Sequence, residues 1–217
     1  MLVRTWMSTD PITIAPSASM KEAARVMAEN DIRHLPVVEK DRLVGIVTLN
    51  DIRRASPSPA TTFSVGELNY LVDKIEVRDI MTRDPLTVTP DTTVEDAALL
   101  GYRHRYGCMP VVEGDRLVGI ITQQDLFDMV MGMLQGGEGD RRITIENMPP
   151  RLGTIRKIID ILDDHKTRFS SIITFPQRQS DKYSFLIRVA SDNLDPIVAD
   201  LKAVSYTHLT LPTKRIV

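Results

Sequence analysis

A short polar pattern, Thr-x-x-Asp, occurs at two places in the sequence where it could do the same chemistry. It is formed by Thr48 with Asp51 and again by Thr122 with Asp125. In both places an apolar, strand-like run comes before it and a helical pattern follows. A threonine hydroxyl at a helix start can donate to a phosphate oxygen, beside N–H groups that lack helical partners. An aspartate one turn later can accept hydrogen bonds from two sugar hydroxyls.

Basic residues near the first pattern could neutralise a bound phosphate. Arg33 and His34 stand directly before a Pro-Val strand. A solvated arginine at a helix end, where a cation complements the helix dipole, is the alternative. Thr48 and Thr122 could likewise serve only as helix caps. From the residues alone, both alternatives remain open.

The position equivalent to Arg33 and His34 in the second half of the chain lacks cations. It reads Gly107, Cys108, Met109 and Pro110, and the nearest basic group, at residues 103–105, comes earlier. The second site is therefore expected to differ from the first. We predict that phosphate binds mainly beside Thr48 and Asp51.

Residue patterns typical of enzymes are missing from the sequence. There is no glycine-rich phosphate loop and no Gly-x-Ser-x-Gly element. Cys108 has no candidate base nearby in sequence, which favours a buried structural thiol. No paired metal-ligand spacing occurs among the four histidines, which are His34, His104, His165 and His208. We therefore expect no catalytic residues, no metal and no enzymatic activity.

The two polar patterns belong to two copies of one longer segment. Three pairs of residues keep the same spacing of 74 positions: Met7 and Met81, Pro36 and Pro110, Gly45 and Gly119. One register held over such a length indicates a duplication. Two similar halves packed about a pseudo-twofold axis are expected.

Each copy predicts the same order of elements. In the first copy an extended piece at 12–14 precedes a helix with an apolar stripe from Met20 to Met27. Ser19 and Glu22 have the spacing of a capping box. Strands at 35–38 and 43–48, joined by a polar turn, then lead to a short helix after Thr48.

This order of elements, with Pro-Val-Val and Gly-Ile-Val/Ile-Thr-x-x-Asp repeated, resembles the cystathionine-β-synthase (CBS) domain. The resemblance covers residues 1–134. In that family two repeats pack through their sheets and leave two clefts, which commonly take AMP, ADP, ATP or S-adenosylmethionine. The resemblance implies a ligand sensor in which the threonine contacts phosphate and the aspartate contacts ribose.

The same resemblance indicates where an adenine base would lie. It points to the first extended piece and to the residues flanking the proline of the next strand. The candidates are Ile12, Thr13, Leu35, Pro36, Cys108 and Met109. An ordinary core position is the alternative for each apolar residue among them.

A different pattern follows the glycine-rich residues 136–140. It predicts strands at 143–145, 171–175 and 183–189, and helices along the stripe from Ile155 to Leu162 and at 193–204. This β-α-β-β-α order is most of a ferredoxin-like unit. The junction at 148–153 resembles the loop of an ACT domain, a regulatory module that often binds amino acids at dimer interfaces. The chain as a whole resembles the acetoin-utilisation B-type family.

The last residues, 205–215, do not continue the ferredoxin-like pattern. They resemble translated adaptor sequence more than native protein, and Pro212 suits a strand poorly. The ACT-like sheet is therefore expected to lack its last strand.

Composition excludes other classes of function. Of 217 residues, 27 are basic and 29 acidic, so the net charge of −2 offers no basic excess for nucleic acid. No run approaches the roughly 18 apolar residues of a membrane span. The single cysteine excludes an intrachain disulfide, and it favours a cytoplasmic location.

The sequence thus predicts an α+β protein, a tandem CBS pair followed by a ferredoxin-like ACT domain. Its expected parts are a first repeat (1–56), a linker with a short helix (57–76), a second repeat (77–134), a flexible linker (135–141), the ACT-like domain (142–204) and a tail (205–217). The expected function is to bind an adenine nucleotide, with no obligatory cofactor, and to signal to the ACT-like domain or a partner. A homodimer is expected. The alternative is a dimerisation module without nucleotide.

Overall fold

The computed structural model describes residues 1–56, 74–135, 139–178, 180–191, 193–203 and 209–210. It divides the chain into two units, Met1–Met129 and Val130–Val217. The helix predicted within the 57–76 linker, at residues 65–72, lies outside the described residues. None of the described helices is long and apolar enough to cross a membrane.

The first copy has the predicted order of helix, strand, strand and helix, but the extended piece predicted at 12–14 forms only an isolated bridge between Ile14 and Val37. After a 3₁₀ turn (Val3–Thr5), its elements are β1 (Ser8–Thr9), α1 (Met20–Glu29), β2 (His34–Glu39), β3 (Arg42–Thr48) and α2 (Leu49–Ala55). Helix α1 begins where the Ser19 hydroxyl accepts from the Glu22 N–H at 3.1 Å. Its stripe of Met20, Ala23 and Met27 is buried, as the period of 3.6 residues predicts.

The second copy repeats these elements. They are α3 (Val77–Ile80), β4 (Thr82–Arg83), α4 (Val94–His104), β5 (Cys108–Glu113), β6 (Arg116–Thr122) and α5 (Gln123–Gln135). Helix α4 begins in the same way as α1, because the Asp96 N–H donates to the Thr93 hydroxyl at 3.1 Å. Strands β5 and β6 pair in the same register as β2 and β3.

The opening residues of each copy pack on the other copy. The Val3 N–H donates to the Thr92 carbonyl at 2.9 Å, and β1 pairs with β6. In return, the Val77 N–H donates to the Ala18 carbonyl at 2.9 Å, and β4 pairs with β3. Each half of the core includes a valine from the opposite copy: Val77 in the first half and Val3 in the second. The boundaries of the sequence repeat therefore differ from those of the two packed halves.

Gly45 and Gly119 hold equivalent positions in the two copies and allow the opening segment of each copy to pack on the other. We call this arrangement segment exchange. A Cβ placed on Gly45 would lie 2.6 Å from Met81 Sδ and 2.9 Å from the Thr82 carbonyl oxygen. A Cβ on Gly119 would lie 2.7 Å from Met7 Sδ and 3.0 Å from the Ser8 carbonyl oxygen. The exchanged segments approach the β3 and β6 backbones too closely for any side chain there.

The second unit is an antiparallel sheet with two helices against one face. Its elements are β7 (Arg141–Met148), α6 (Leu152–Asp164), β8 (Arg168–Pro176), β9 (Tyr183–Ala190), α7 (Asp195–Ala203) and β10 (Leu209–Thr210). The strand order β10-β7-β9-β8 is that of a ferredoxin-like unit. Apolar residues of β7 and β9 pack against Ile158 and Leu162 of α6 and against Leu201 of α7.

The expectation that this sheet lacks its last strand is wrong. Leu209 pairs with Ile145 and Thr210 with Thr144, forming a two-residue fourth strand. The outer edge of β7 presents N–H and C=O groups that a short extended segment can pair with. Pro212 does not prevent the pairing, since it comes after the two paired residues.

Candidate functional site

The two Thr-x-x-Asp patterns meet at one cleft in the first unit. Its volume is about 1400 Å³, and both copies line it. The starts of α2 and α5 and the starts of β2 and β5 all contribute side chains. The resemblance implied two clefts, whereas here the candidate positions line one continuous cavity. Ligand pockets are typically about 300–1,000 Å³, so this one has room for more than one small molecule.

Thr48 and Asp51 satisfy each other in a reciprocal cap at the start of α2. The Thr48 hydroxyl and the Thr48 N–H donate to Asp51 Oδ2 at 2.7 and 2.9 Å. The Asp51 N–H donates back to the Thr48 hydroxyl at 3.2 Å. Helix capping, the alternative raised from the sequence, is therefore present.

The second copy has the same cap. The Thr122 hydroxyl and N–H donate to Asp125 Oδ2 at 2.8 and 2.7 Å. In both copies the carboxylate uses only Oδ2 for these contacts. Among the described residues, Oδ1 of Asp51 and Oδ1 of Asp125 have no hydrogen-bond partner. Each cap thus leaves one carboxylate oxygen able to accept from a ligand.

His34 stands at the start of β2, opposite Thr48. Burial, followed by the neighbouring Arg33, lowers the pKa of His34, and the Asp51 carboxylate offsets this only in part. The imidazole is therefore neutral at pH 7. It faces the second copy, because a Cβ on Gly107 would lie 3.5 Å from His34 Nε2.

Cys108 occupies the corresponding place on β5, opposite Thr122. Burial raises the pKa of its thiol to about 12, so the sulfur stays protonated and unreactive. It packs with Ile46 and Ile120, one from each copy. The expectation of a buried structural thiol is confirmed.

Four arginines line the cleft, three of them from the first copy: Arg33, Arg53, Arg54 and Arg105. No ion pair links any of them to a carboxylate within the described parts of the chain. Four carboxylates also line it, at Asp10, Asp31, Asp51 and Asp125. The guanidinium groups of the first copy are therefore concentrated beside Asp51 without being paired.

Sequence reasoning missed Arg53 and Arg54. They lie three and four residues after Asn50, another cleft residue on α2. Residues at this spacing share one face of a helix. That spacing could have predicted that both arginines face the cleft. They were overlooked because two arginines in the last turn of a short helix are also explained by the helix dipole.

Several residues expected to contact adenine do not line the cleft. Leu35 and Met109 are 0% and 2% exposed and belong to the two cores. Successive strand residues face opposite sides, so where His34 and Pro36 face the cleft, Leu35 cannot. Thr13 is exposed and lies outside the lining, whereas Ile12 and Pro36 lie in it.

Across the described ranges, no group of three or more His, Cys, Asp or Glu side chains could hold a metal ion. The polar groups that line the cleft include guanidinium, carboxylate, imidazole, amide and hydroxyl groups. Such groups suit a ligand that carries both an anion and a polyol.

A family model for the CBS domain matches residues 3–58 and 77–132. An inosine-5′-monophosphate dehydrogenase from Korarchaeum cryptofilum is 37% identical over 119 residues, which are 54% of this chain and 22% of the dehydrogenase. Two further curated relatives are covered over 36% and 23% of their length. The chain thus spans much less than the whole of these proteins.

Solved structures resemble the same part of the chain. An acetoin utilization protein (AcuB) from Vibrio cholerae has a TM-score of 0.53 and 29% identity, covering 62% of this chain and 93% of that one. The CBS domain pair of protein MJ0100, in complex with 5′-methylthioadenosine and S-adenosyl-L-methionine, has a TM-score of 0.51 and 31% identity (61% and 97%). CBSX2 of Arabidopsis thaliana in complex with AMP has a TM-score of 0.51 and 28% identity (60% and 96%).

Proposed function

Because this chain belongs to the CBS domain family, we propose that its first unit is a regulatory module that binds an adenine nucleotide in the cleft. The observation that carries the proposal is the group of guanidiniums, Arg33, Arg53 and Arg54, which line the cleft with Asp51 and form no ion pair with any described carboxylate. The ligands in the similar structures, AMP and S-adenosyl-L-methionine, share an adenosine group. AMP, ADP, ATP and S-adenosylmethionine are the candidate ligands.

Each part of a nucleotide has a partner in the first copy. Guanidinium groups bind phosphate through two parallel hydrogen bonds, which is the role we assign to the three arginines. Asp51 Oδ1 accepts from the ribose hydroxyls. Ile12 and Pro36 give apolar contact to the base.

The second copy is the weaker site. Arg105 is its one cation among the described lining residues, and Gln123 and Gln124 take the places of Leu49 and Asn50. A phosphate here would meet less positive charge. We propose that nucleotide occupies the first copy preferentially.

We further propose that the second unit is an ACT-like regulatory domain and that the protein acts as a homodimer. The ferredoxin-like strand order supports this assignment. Nucleotide would shift the population of conformations, and the second unit or a partner protein would respond. The match to the CBS domain family supports a regulatory rather than a catalytic role.

One observation favours a second candidate function, an interaction module without ligand. Thr48 and Asp51 already satisfy one another, and a cap of this kind is a sufficient reason for both residues.

Calorimetric titration of the chain with AMP, ADP, ATP and S-adenosylmethionine separates the two functions. The sensor predicts saturable binding that weakens about tenfold or more in Arg33→Gln, since a hydrogen bond to a charged group contributes about 1.5–3 kcal/mol. Arg25→Gln is the matched control, because Arg25 is exposed on α1 and pairs with Glu29 away from the cleft. No heat and no thermal shift with any ligand would support the interaction module.

A further inference from the structure

The sheet of the second unit packs one apolar face against helices, and its opposite face is mixed, since it carries polar residues together with the buried Leu186. Ile143 and Ile145 of β7 point to the helices α6 and α7. Because side chains alternate along a strand, Arg142 and Thr144 point to the opposite face. On the neighbouring strand β9, Arg188 is paired directly with Arg142, and on β8 Ser171 is paired with Arg188. We call these three paired residues, with Thr144, the arginine row.

Half of the arginine row has partners in the protein. The Ser171 hydroxyl donates to the Met133 carbonyl at 2.6 Å, and Arg188 Nε donates to the Leu134 carbonyl. Both carbonyls belong to the last turn of α5, a part of that helix that falls within the second unit, and helix carbonyls there lack intrahelical donors. Ser171 and Arg188 thus cap the C-terminal end of α5 by donating to its carbonyl groups.

The other half has none. Arg142 is half-buried, and its Nε atom is buried with no hydrogen-bond partner among the described residues. The described carboxylates form no ion pair with it. Thr144, two residues along the same face, is only 8% exposed, and its hydroxyl oxygen also lacks a partner.

This arrangement is unfavourable in an empty state for three separate reasons. Two like charges lie directly opposite one another on adjacent strands. Among the described residues, the buried Nε of Arg142 has no acceptor and the buried Thr144 hydroxyl has no partner. A single oxyanion beside Arg142 would relieve all three, because it neutralises charge and accepts from both residues.

We propose that Arg142, Arg188 and Thr144 form a binding site for a small oxyanion, a carboxylate or a phosphate group, on the face of the second unit's sheet opposite its two helices. The planar guanidinium of Arg142 binds two oxygens of the anion. The Thr144 hydroxyl donates to one of them, and Arg188 contributes charge while remaining bound to Leu134. This site is distinct from the cleft and does not depend on nucleotide binding there.

The test is an NMR titration of the ¹⁵N-labelled full chain with sodium phosphate and, separately, sodium acetate, at constant ionic strength. We expect saturable shifts of the amides of β7 and β9 with at least one anion. The anion that saturates at lower concentration identifies the ligand class. Arg142→Gln should weaken this binding tenfold or more. Arg141→Gln is the matched control, because Arg141 is exposed and points to the other face. Any anion binding in the cleft should be the same in the unsubstituted chain, Arg142→Gln and Arg141→Gln. It would shift the amide signals of the first unit rather than those of β7 and β9.

Absence of saturable shifts in β7 and β9 with either anion, or equal affinity in Arg142→Gln, would overturn the proposal. Thr144→Val provides a second measurement with opposite signs. Without anion it should raise the thermal midpoint, since it removes a buried hydroxyl that lacks a partner. With anion it should weaken binding. A lower midpoint without anion would show that the hydroxyl has a partner within the protein, and would overturn the site.

Discussion

The two copies of the repeat share a backbone and differ in the side chains they present to the cleft. Both hairpins have the same register and the same irregularity, between Val37 and Val38 and between Val111 and Val112. Both helix starts carry the same Thr–Asp cap. At equivalent positions, however, the basic residues of the first copy are replaced: Arg33 by Gly107, His34 by Cys108, Arg53 by Phe127 and Arg54 by Asp128.

This difference shows which constraints the duplication kept. Residues that set strand pairing, helix capping and segment exchange recur because each half of the core depends on them. Cleft residues without such a role, among them Arg33, Arg53 and Arg54, have diverged. Even Phe127, in the place of Arg53, is 60% exposed, so core packing did not select it.

The largest expected effect concerns a feature that both copies share, the close packing of an opening segment on a glycine. Gly45→Ala and Gly119→Ala should each destabilise the first unit by about 1–3 kcal/mol, the usual cost of overpacking. The methionine Sδ atoms can move, but the backbone carbonyls of Thr82 and Ser8 cannot yield easily. Urea unfolding measures both variants.

Gly153→Ala in α6 is the control for these variants, because a Cβ there meets nothing within 4 Å. It should stabilise its helix by up to about 1 kcal/mol. A loss for only one of Gly45→Ala and Gly119→Ala would break the equivalence of the two exchanged segments.

The next effect concerns the feature in which the two copies differ, their affinity for nucleotide. Asp51→Ala should weaken nucleotide binding by about tenfold, or about 1.4 kcal/mol, and more than Asp125→Ala does. Both variants lose the same helix cap, so their stabilities should fall alike, and only the affinities should separate. Calorimetry with unfolding curves on both variants checks this. Equal losses of affinity, or a greater loss from Asp125→Ala, would contradict the asymmetry.

The smallest expected effect concerns pH and the pair His34 and Cys108. The pKa of His34 is lowered in the free protein, whereas a bound phosphate beside it would raise that pKa. Binding should therefore take up a proton, and affinity should rise, by less than about tenfold, as pH falls from about 8 to 6.5. Cys108, with a pKa of about 12, does not titrate in this range.

Calorimetry at several pH values, repeated on His34→Gln, measures this dependence. The variant should lose the rise in affinity, and an unchanged slope would assign the proton to another group. Nucleotide affinity should rise as pH falls, whereas the stability of the free protein should fall. Because the pKa of His34 is lower in the folded than in the unfolded state, the unfolding free energy decreases as pH drops below about 6.5.

Local sequence features predicted the fold closely. The stripe from Met20 to Met27 and the strands before both Thr-x-x-Asp patterns occur as expected, and the Ser19 hydroxyl accepts from the Glu22 N–H, which is one half of the predicted capping box. These features depend on neighbours within a few residues. The short strand at Leu209 and Thr210 was missed, because a two-residue pairing depends on the free edge of β7 and has no periodicity of its own.

The candidate site was only partly predictable. Arg33, His34, Thr48 and Asp51 do line one cleft, because the start of β2 and the end of β3 lie side by side in the hairpin. Leu35 was misassigned, since which face of β2 meets the cleft depends on what packs beneath it. Arg53 and Arg54 were overlooked because only the packed structure shows which side of α2 opens to the cleft.

The sequence by itself determined the duplication, the identity of the helices and strands, their caps, and the difference in charge between the two copies. Each of these is fixed by residue type and short-range spacing. Only the tertiary structure decided that the opening segments exchange, that both copies share one cavity, and that Arg142 lies opposite Arg188. These depend on which distant surfaces bury apolar area together and pair their backbone groups, and a linear order of residues does not specify such long-range contacts.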